Sequence, residues 1–213
     1  MNIPDNFQVI DHSLVHHKLG IIRDKNTGPK EFRELVTETT MLLAYEATKN
    51  LFLKDAEVQT PITTTHVKTV AVSDIVLVPI LRAGLGMLEG MLKLIPYARV
   101  GYVGMERDHE THQPVDYYFK IPNQAHKRTF IILDPMLATG NSSIAAINLI
   151  LNKGVDVNNI FLVSLLAAPE GLKNIQKTHK KLRIFTCQID KKLNKNKFIV
   201  PGLGDAGDRY MGT

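Results

Sequence analysis

At 213 residues, 44% hydrophobic and 22% charged, the chain is long enough for one sizeable α/β domain, and no apolar run approaches the length that spans a bilayer. A formal charge of +5 points to anionic partners, small or polymeric, and a single cysteine excludes an internal disulfide. The opening Met1-Asn-Ile-Pro-Asp-Asn6 has no basic stretch followed by an apolar one, so a cytoplasmic protein without a secretion signal is expected. Residues 12–22 set His12, His16 and His17 among Leu14, Leu19, Ile21 and Ile22. With no cysteine or carboxylate at a ligand spacing, they read as a surface helix, not a metal site. Asn26-Thr-Gly-Pro29 is a turn leading to a helix start. From Glu31 onward Phe32, Leu35, Val36, Leu42, Leu43 and Ala47 recur on one face, which predicts a long amphipathic helix with Lys30 and Arg33 at its beginning. Residues 57–72 are rich in alternating β-branched types and predict two short strands outside the main helix–strand rhythm.

Ile75-Val-Leu-Val-Pro-Ile-Leu81 reads as a fully buried strand of a parallel sheet and runs into Arg82-Ala-Gly-Leu-Gly86. Small residues there let backbone N–H groups approach an anion, and Arg82 adds a positive fork; a plain glycine-rich turn before a helix at 87–94 fits the residues equally well. Ala98-Arg-Val-Gly-Tyr-Val-Gly104 is a second buried strand. Residues 109–122, with Tyr117, Tyr118 and Phe119, predict an extended arm suited to a subunit contact or a lid. Phe130 to Leu133 form the next strand. It ends on Asp134, and a loop of small and hydroxyl residues leads to a helix carrying Ile144, Ile147, Ile150 and Leu151. Strand, acidic tip, small polar loop and helix N-terminus can hold a phosphorylated sugar, with free N–H groups and the helix dipole for the phosphate and the carboxylate for hydroxyls. The spacing is not that of a P-loop. A strand over 160–166, a helix over 169–179 and a strand over 182–187, the last holding Cys187 as a reduced core thiol, complete five central strands at βαβ spacing. Lys180, Lys181, Lys191, Lys192, Lys195 and Lys197 alternate with asparagines without interleaved aromatics, a solvated face rather than a nucleic-acid surface. The glycine-rich end, Phe198 to Arg209, reads as an ordered loop or a frayed tail.

Four segments together carry a resemblance: Val78-Pro-Ile-Leu-Arg-Ala-Gly-Leu-Gly86, Asp134-Pro-Met-Leu-Ala-Thr-Gly140, Ala167-Ala-Pro-Glu-Gly171 and Pro201-Gly-Leu-Gly-Asp-Ala-Gly-Asp208. In order and spacing they resemble the uracil phosphoribosyltransferases of the type I phosphoribosyltransferase group, and Pro135-Met136 after Asp134 is the form of that branch. The resemblance implies an α/β fold with a parallel five-stranded sheet flanked by helices, a small hairpin or hood and an extended β-arm. In one domain, residues 1–72 would form the N-terminal helices and hood, 73–190 the core and 191–213 the uracil-binding segment. It implies transfer of ribose 5-phosphate from phosphoribosyl pyrophosphate to uracil, giving UMP. Phosphoribosyl pyrophosphate would meet Arg82, Arg107, Asp134, Pro135, Met136, Leu137, Ala138, Thr139, Gly140, Asn141, Ser142 and Asp205; uracil would meet Ile199, Gly204, Asp205 and Ala206. Asp134 and Arg107 would serve catalysis, with Asp205 as a candidate general base. Mg²⁺ is expected on substrate oxygens rather than in a protein cage. Relatives are oligomeric, so a homodimer or higher oligomer is expected, and GTP enters as a candidate effector. Four positions depart from the family pattern: Pro29, Glu106, Asn141 and Phe198. Glu106 is expected to point away from the polyanion site, and Asn141 to tolerate left-handed backbone geometry. The alternative is an RNA-binding pyrimidine-operon regulator on the same fold. Such regulators carry a paired acidic loop and lack the C-terminal glycine-rich segment, so the residues present argue for the enzyme.

Overall fold

The computed structural model describes residues 6–71, 74–107 and 114–213, with the backbone only for 106, 107 and 114–116. Its centre is a sheet built from the apolar runs: β4 (Ile75–Leu81), β8 (Thr129–Leu133), β10 (Ile160–Ala167) and β11 (Arg183–Ile189). All eight residues of β10 are buried, as befits a strand covered on both faces. Pairing is parallel, with Val76 opposite Phe130, Ile160 opposite Phe130 from the other side, and Leu162 opposite Ile184. The second predicted strand is broken at Gly101, whose N–H donates to Leu77 O; it forms β5 (Arg99–Val100) and β6 (Tyr102–Arg107), both parallel to β4.

The sheet is wider than the five strands expected. A short β1 (Phe7–Val9) adds a further parallel strand outside β11, and β7 (Pro114–Lys120) pairs antiparallel with β6 at the other edge. β7 is the arm, bulged opposite Gly104, with Tyr117 and Tyr118 exposed; residues 109–113 of the arm lie outside the described residues.

Alternation along the strands divides the core in two. Ile75, Leu77, Ile131 and Leu133 face one side, beneath α1 (Ser13–Arg23), α2 (Pro29–Thr48) and α3 (Leu85–Leu94). Val76, Val78, Phe130 and Ile132 face the other, beneath α4 (Asn141–Leu151) and α5 (Pro169–Thr178). The histidine-bearing α1 is a packed helix with an exposed outer face: Val15, Leu19 and Ile22 are buried, and His16 pairs with Asp11 at 2.8 Å. α2 starts on Pro29 after Gly28 and buries Phe32, Leu35, Val36, Leu43 and Ala47, as its spacing predicts. β2 (Leu53–Gln59) and β3 (Thr64–Val70) form the predicted hairpin, four residues earlier than its β-branched signal, with no residue fully buried.

Candidate active site

Each parallel strand ends on the same edge of the sheet, so the loops after β4, β8, β10 and β11 converge there, the position where open α/β sheets place ligands. After β8, Asp134 sits at the strand tip. Its Oδ2 accepts from Ser143 Oγ at 2.7 Å, and its Oδ1 accepts from Met136 N at 3.3 Å. Ser143 is wholly buried in the first turn of α4, so the carboxylate is oriented by the helix it precedes.

The loop that follows is anchored from behind. Pro135 O accepts from Leu165 N and Leu166 N at 3.1 Å, while β9 (Met136–Leu137) pairs with the end of β10. Gly140 takes the left-handed conformation, φ +81, and caps α4 without a side chain. Asn141 N donates to Thr139 Oγ1 at 3.4 Å, and the next first-turn amides are left to a ligand or to water. Asn141 is the first helical residue, not the left-handed one. Its side chain is held by α5, where Asn174 Nδ2 donates to Asn141 Oδ1 at 2.9 Å and to Thr139 O at 3.0 Å. Close contact with α5 depends on Gly171, whose absent Cβ would lie 2.4 Å from Ala138 O.

Opposite this loop lies the C-terminal segment, which is ordered. β12 (Lys192–Leu193) and β13 (Ile199–Val200) make a short hairpin, and α6 (Ala206–Met211) follows. Asp205 caps α6, its Oδ1 accepting from Asp208 N at 3.0 Å. Arg82 Nη2 donates to Asp208 Oδ1 at 3.3 Å, which joins the loop after β4 to α6. Tyr210 packs against Gly86 on the same side, and burial pushes its phenol pKa up, with Glu89 adding to the rise and Arg33 opposing it.

A cleft of about 380 Å³ opens between these loops. It is lined by Arg82, Asp134, Met136, Ala138, Ser142, Ile199, Gly204, Asp205 and Ala206 from the sequence-predicted set. Ile80, Ala83 and Gly207, from the segments that carry the resemblance, line it too, with Phe198, Met105, which no sequence signal marked, and Lys197, which read as part of a solvated face. Thr139 lines an adjoining basic cleft with Lys173, Asn174, Lys177 and Lys197. Pro135 and Leu137 turn into the sheet instead: Pro135 is buried and Leu137 is 0% exposed within the second core. Arg107 ends β6 at this edge, but its side chain, like that of Glu106, lies outside the described residues. Lys30 is elsewhere, in a groove with Glu34, Glu89 and Lys93. Among the described residues no group of three or more His, Cys, Asp or Glu side chains is arranged to hold a metal ion.

The sequence model of the family described as "Uracil phosphoribosyltransferase" matches residues 9–213. The chain belongs to the uracil phosphoribosyltransferase family. Proteins named uracil phosphoribosyltransferase from Thermoanaerobacter sp. and Listeria innocua are 52% and 53% identical to it over 208 residues, covering 98% of this chain and 98% and 99% of theirs. One from Desulfitobacterium hafniense is 52% identical over 205 residues. A solved structure from Aquifex aeolicus superposes with a TM-score of 0.90 at 38% identity, covering 96% of this chain and 97% of that one. The match reaches through the C-terminal glycine-rich segment. Among the described residues no helix is long and apolar enough to cross a membrane.

Proposed function

We propose that this chain transfers ribose 5-phosphate from phosphoribosyl pyrophosphate to uracil, giving UMP and pyrophosphate. The observation that carries this reading is the cleft in which the Asp134 loop, at the head of α4, faces the Gly204–Ala206 segment. One wall suits a sugar phosphate and the other a planar base. The reaction breaks the bond between C1′ and the pyrophosphate oxygen and forms one from uracil N1 to C1′, with the N1 proton released. Positive charge grows on the sugar and negative charge on the leaving group, so fixed groups of opposite sign supply the stabilisation.

In this reading the α4 amides with Thr139 and Ser142 hold the 5-phosphate, Asp134 accepts from the ribose hydroxyls, and Arg82 with Arg107 neutralises the pyrophosphate. Asn141 acts through the fold of the loop. Mg²⁺ bound to substrate oxygens would add charge neutralisation, and Asp134 and Asp205 are the carboxylates of the cleft that could meet its hydration shell. Backbone groups at Gly204–Ala206 match the acceptor–donor–acceptor edge of uracil, and cytosine would present a donor where one acceptor is required. Such a site discriminates by roughly 10⁴-fold. Asp205 is assigned as general base beside its capping role. Full turnover by Asp205→Asn across pH, with binding unchanged, would remove that assignment. A cytoplasmic homo-oligomer is part of the same reading, supported by the exposed aromatic face of β7, as is a response to GTP. The experiment is pyrophosphate release with uracil, against cytosine and hypoxanthine. Uracil alone should support turnover; release with none of the bases would sink the reading.

A further inference from the structure

The base-facing loop is held by two side chains that do not line the cleft. Asp190, at the end of β11, is 4% exposed, and Arg23, at the end of α1, meets it as a two-pronged pair: Nη2 to Oδ1 at 2.7 Å and Nη1 to Oδ2 at 2.9 Å. The pair then takes both backbone groups of one residue. Gly202 N donates to Asp190 Oδ2 at 2.8 Å, and Arg23 Nη1 donates to Gly202 O at 2.6 Å. Gly202 lies at φ +66, and a Cβ there would fall 2.2 Å from Ile199 O, so no other residue fits this turn without moving it. Two positions later comes Gly204, the start of the segment assigned to uracil. Arg209 reinforces the tie from the other side, donating to Leu203 O at 2.8 Å and to Ile22 O and Asp24 O at the end of α1.

We propose that Arg23 and Asp190 are positioning residues for base recognition: a buried carboxylate and a part-buried guanidinium that set the height and tilt of the Gly202–Ala206 backbone against the substrate. This rests on the reading of that segment as the uracil site. Such a pair is a poor source of net stability but a strict one of geometry: losing Arg23 strands the buried Asp190 carboxylate, and losing the carboxylate frees Gly202 N and the guanidinium together. A shift of about 1 Å in groups that read a base costs on the order of 10²-fold. The sugar-phosphate wall, anchored on β10 and α5, takes no side-chain bond from this pair; Asp190 touches it only through its backbone N, which donates to Ala167 O at 2.8 Å.

The test compares Asp190→Asn, Arg23→Gln and Arg23→Lys with Ile160→Val, a core truncation at the opposite end of the sheet that serves as a destabilised control. KM is measured separately for uracil and for phosphoribosyl pyrophosphate, and amide hydrogen exchange is followed at 202–206 without substrates. Asp190→Asn and Arg23→Gln should raise uracil KM by about tenfold or more and leave the other KM within about threefold. Arg23→Lys should fall between these and the wild type, because it keeps the charge but loses the fork. Exchange at 202–206 should accelerate in Asp190→Asn and not in Ile160→Val. Equal rises in both KM values, an unchanged uracil KM, or unchanged exchange at 202–206 would each overturn the proposal. Absence of uracil turnover in the wild type would instead remove the parent reading, and the exchange comparison would still decide whether the pair positions the loop.

Discussion

Gly171 offers a direct way to move the loop after β8, to which the sugar phosphate is assigned in the proposed reading, without changing a side chain that lines the cleft. A Cβ at this position would sit 2.4 Å from Ala138 O and 3.0 Å from Leu137 O, where ordinary contact begins near 3.4 Å. Both atoms are backbone, so no side chain can swing away; in Gly171→Ala either α5 or the loop must give by about 1 Å. Overpacking of this kind costs roughly 1–3 kcal/mol in stability. The kinetic consequence is larger, because a displacement of about 1 Å at a positioned group lowers rate by on the order of 10²-fold. We expect kcat/KM for phosphoribosyl pyrophosphate to fall about 10²-fold, equivalent to ~2.7 kcal/mol of transition-state stabilisation, measured by coupled pyrophosphate release. Gly20→Ala is the matched control: it lies inside α1 with nothing within 4 Å of the added Cβ. It should raise stability by about 0.5–1 kcal/mol and leave turnover alone. If Gly171→Ala keeps kcat/KM within about threefold of the wild type, the contact between α5 and the loop is not what holds the phosphate site.

Ser143→Ala removes the hydroxyl that orients Asp134, a hydrogen bond worth about 1–1.5 kcal/mol, so kcat/KM for phosphoribosyl pyrophosphate should fall about tenfold with uracil KM unchanged. An unaltered rate would show that the carboxylate is set by other contacts. Asn141→Ala, Asn174→Ala and the double variant form a cycle whose coupling in kcat/KM should exceed about 0.5 kcal/mol, while strictly additive effects would separate the two side chains. Cys187 is wholly buried, and burial pushes its thiol up to about 12 from 9.0, with Arg23 opposing. Iodoacetamide at pH 8 should therefore label it only after unfolding. Because the folded pKa is the higher one, the associated stability is complete below pH 9 and is lost as pH rises from 9 towards 12. Cys187→Ala should flatten that part of the denaturant-midpoint profile, and an equally steep decline would assign it to other groups.

Those parts of the fold that bury continuous apolar runs were readable in advance. β4, β8 and β10 announce themselves because a strand covered on both faces needs no polar alternation. The elements that escaped are short and owe their form to distant partners. β1 has three residues and exists by pairing with β11, where Phe7 lies opposite Ile184, far away in sequence. α6 has six residues including Gly207, too few for intrinsic helicity; the Asp205 cap and the grip of Arg209 on α1 account for it. A tail that looked ready to fray is thus an ordered wall. Within the site, motif segments named the lining groups, but the side chains that hold them were invisible. Asn174, Arg23 and Asp190 carry no local pattern, and their partners lie 33, 179 and 12 residues away.

Asn141 illustrates how a departure from a family pattern is absorbed. Read locally, an asparagine at a loop-to-helix junction suggests left-handed backbone, and that assignment falls one residue late: Gly140 takes φ +81, and Asn141 begins the helix. Its amide is then free to face α5, where one donor group of Asn174 satisfies both it and the Thr139 carbonyl. The polar side chain therefore becomes a strut between the loop after β8 and α5, and Gly171 supplies the close approach that the strut requires. The two walls of the cleft follow one rule. The 137–140 turn on one side and the Gly202–Ala206 backbone on the other are each tied from behind by a remote amide or guanidinium. In the proposed reading, altering the Asn174 tie should act first on sugar-phosphate binding and altering the Arg23–Asp190 tie first on base binding, and separate KM values for the two substrates check it.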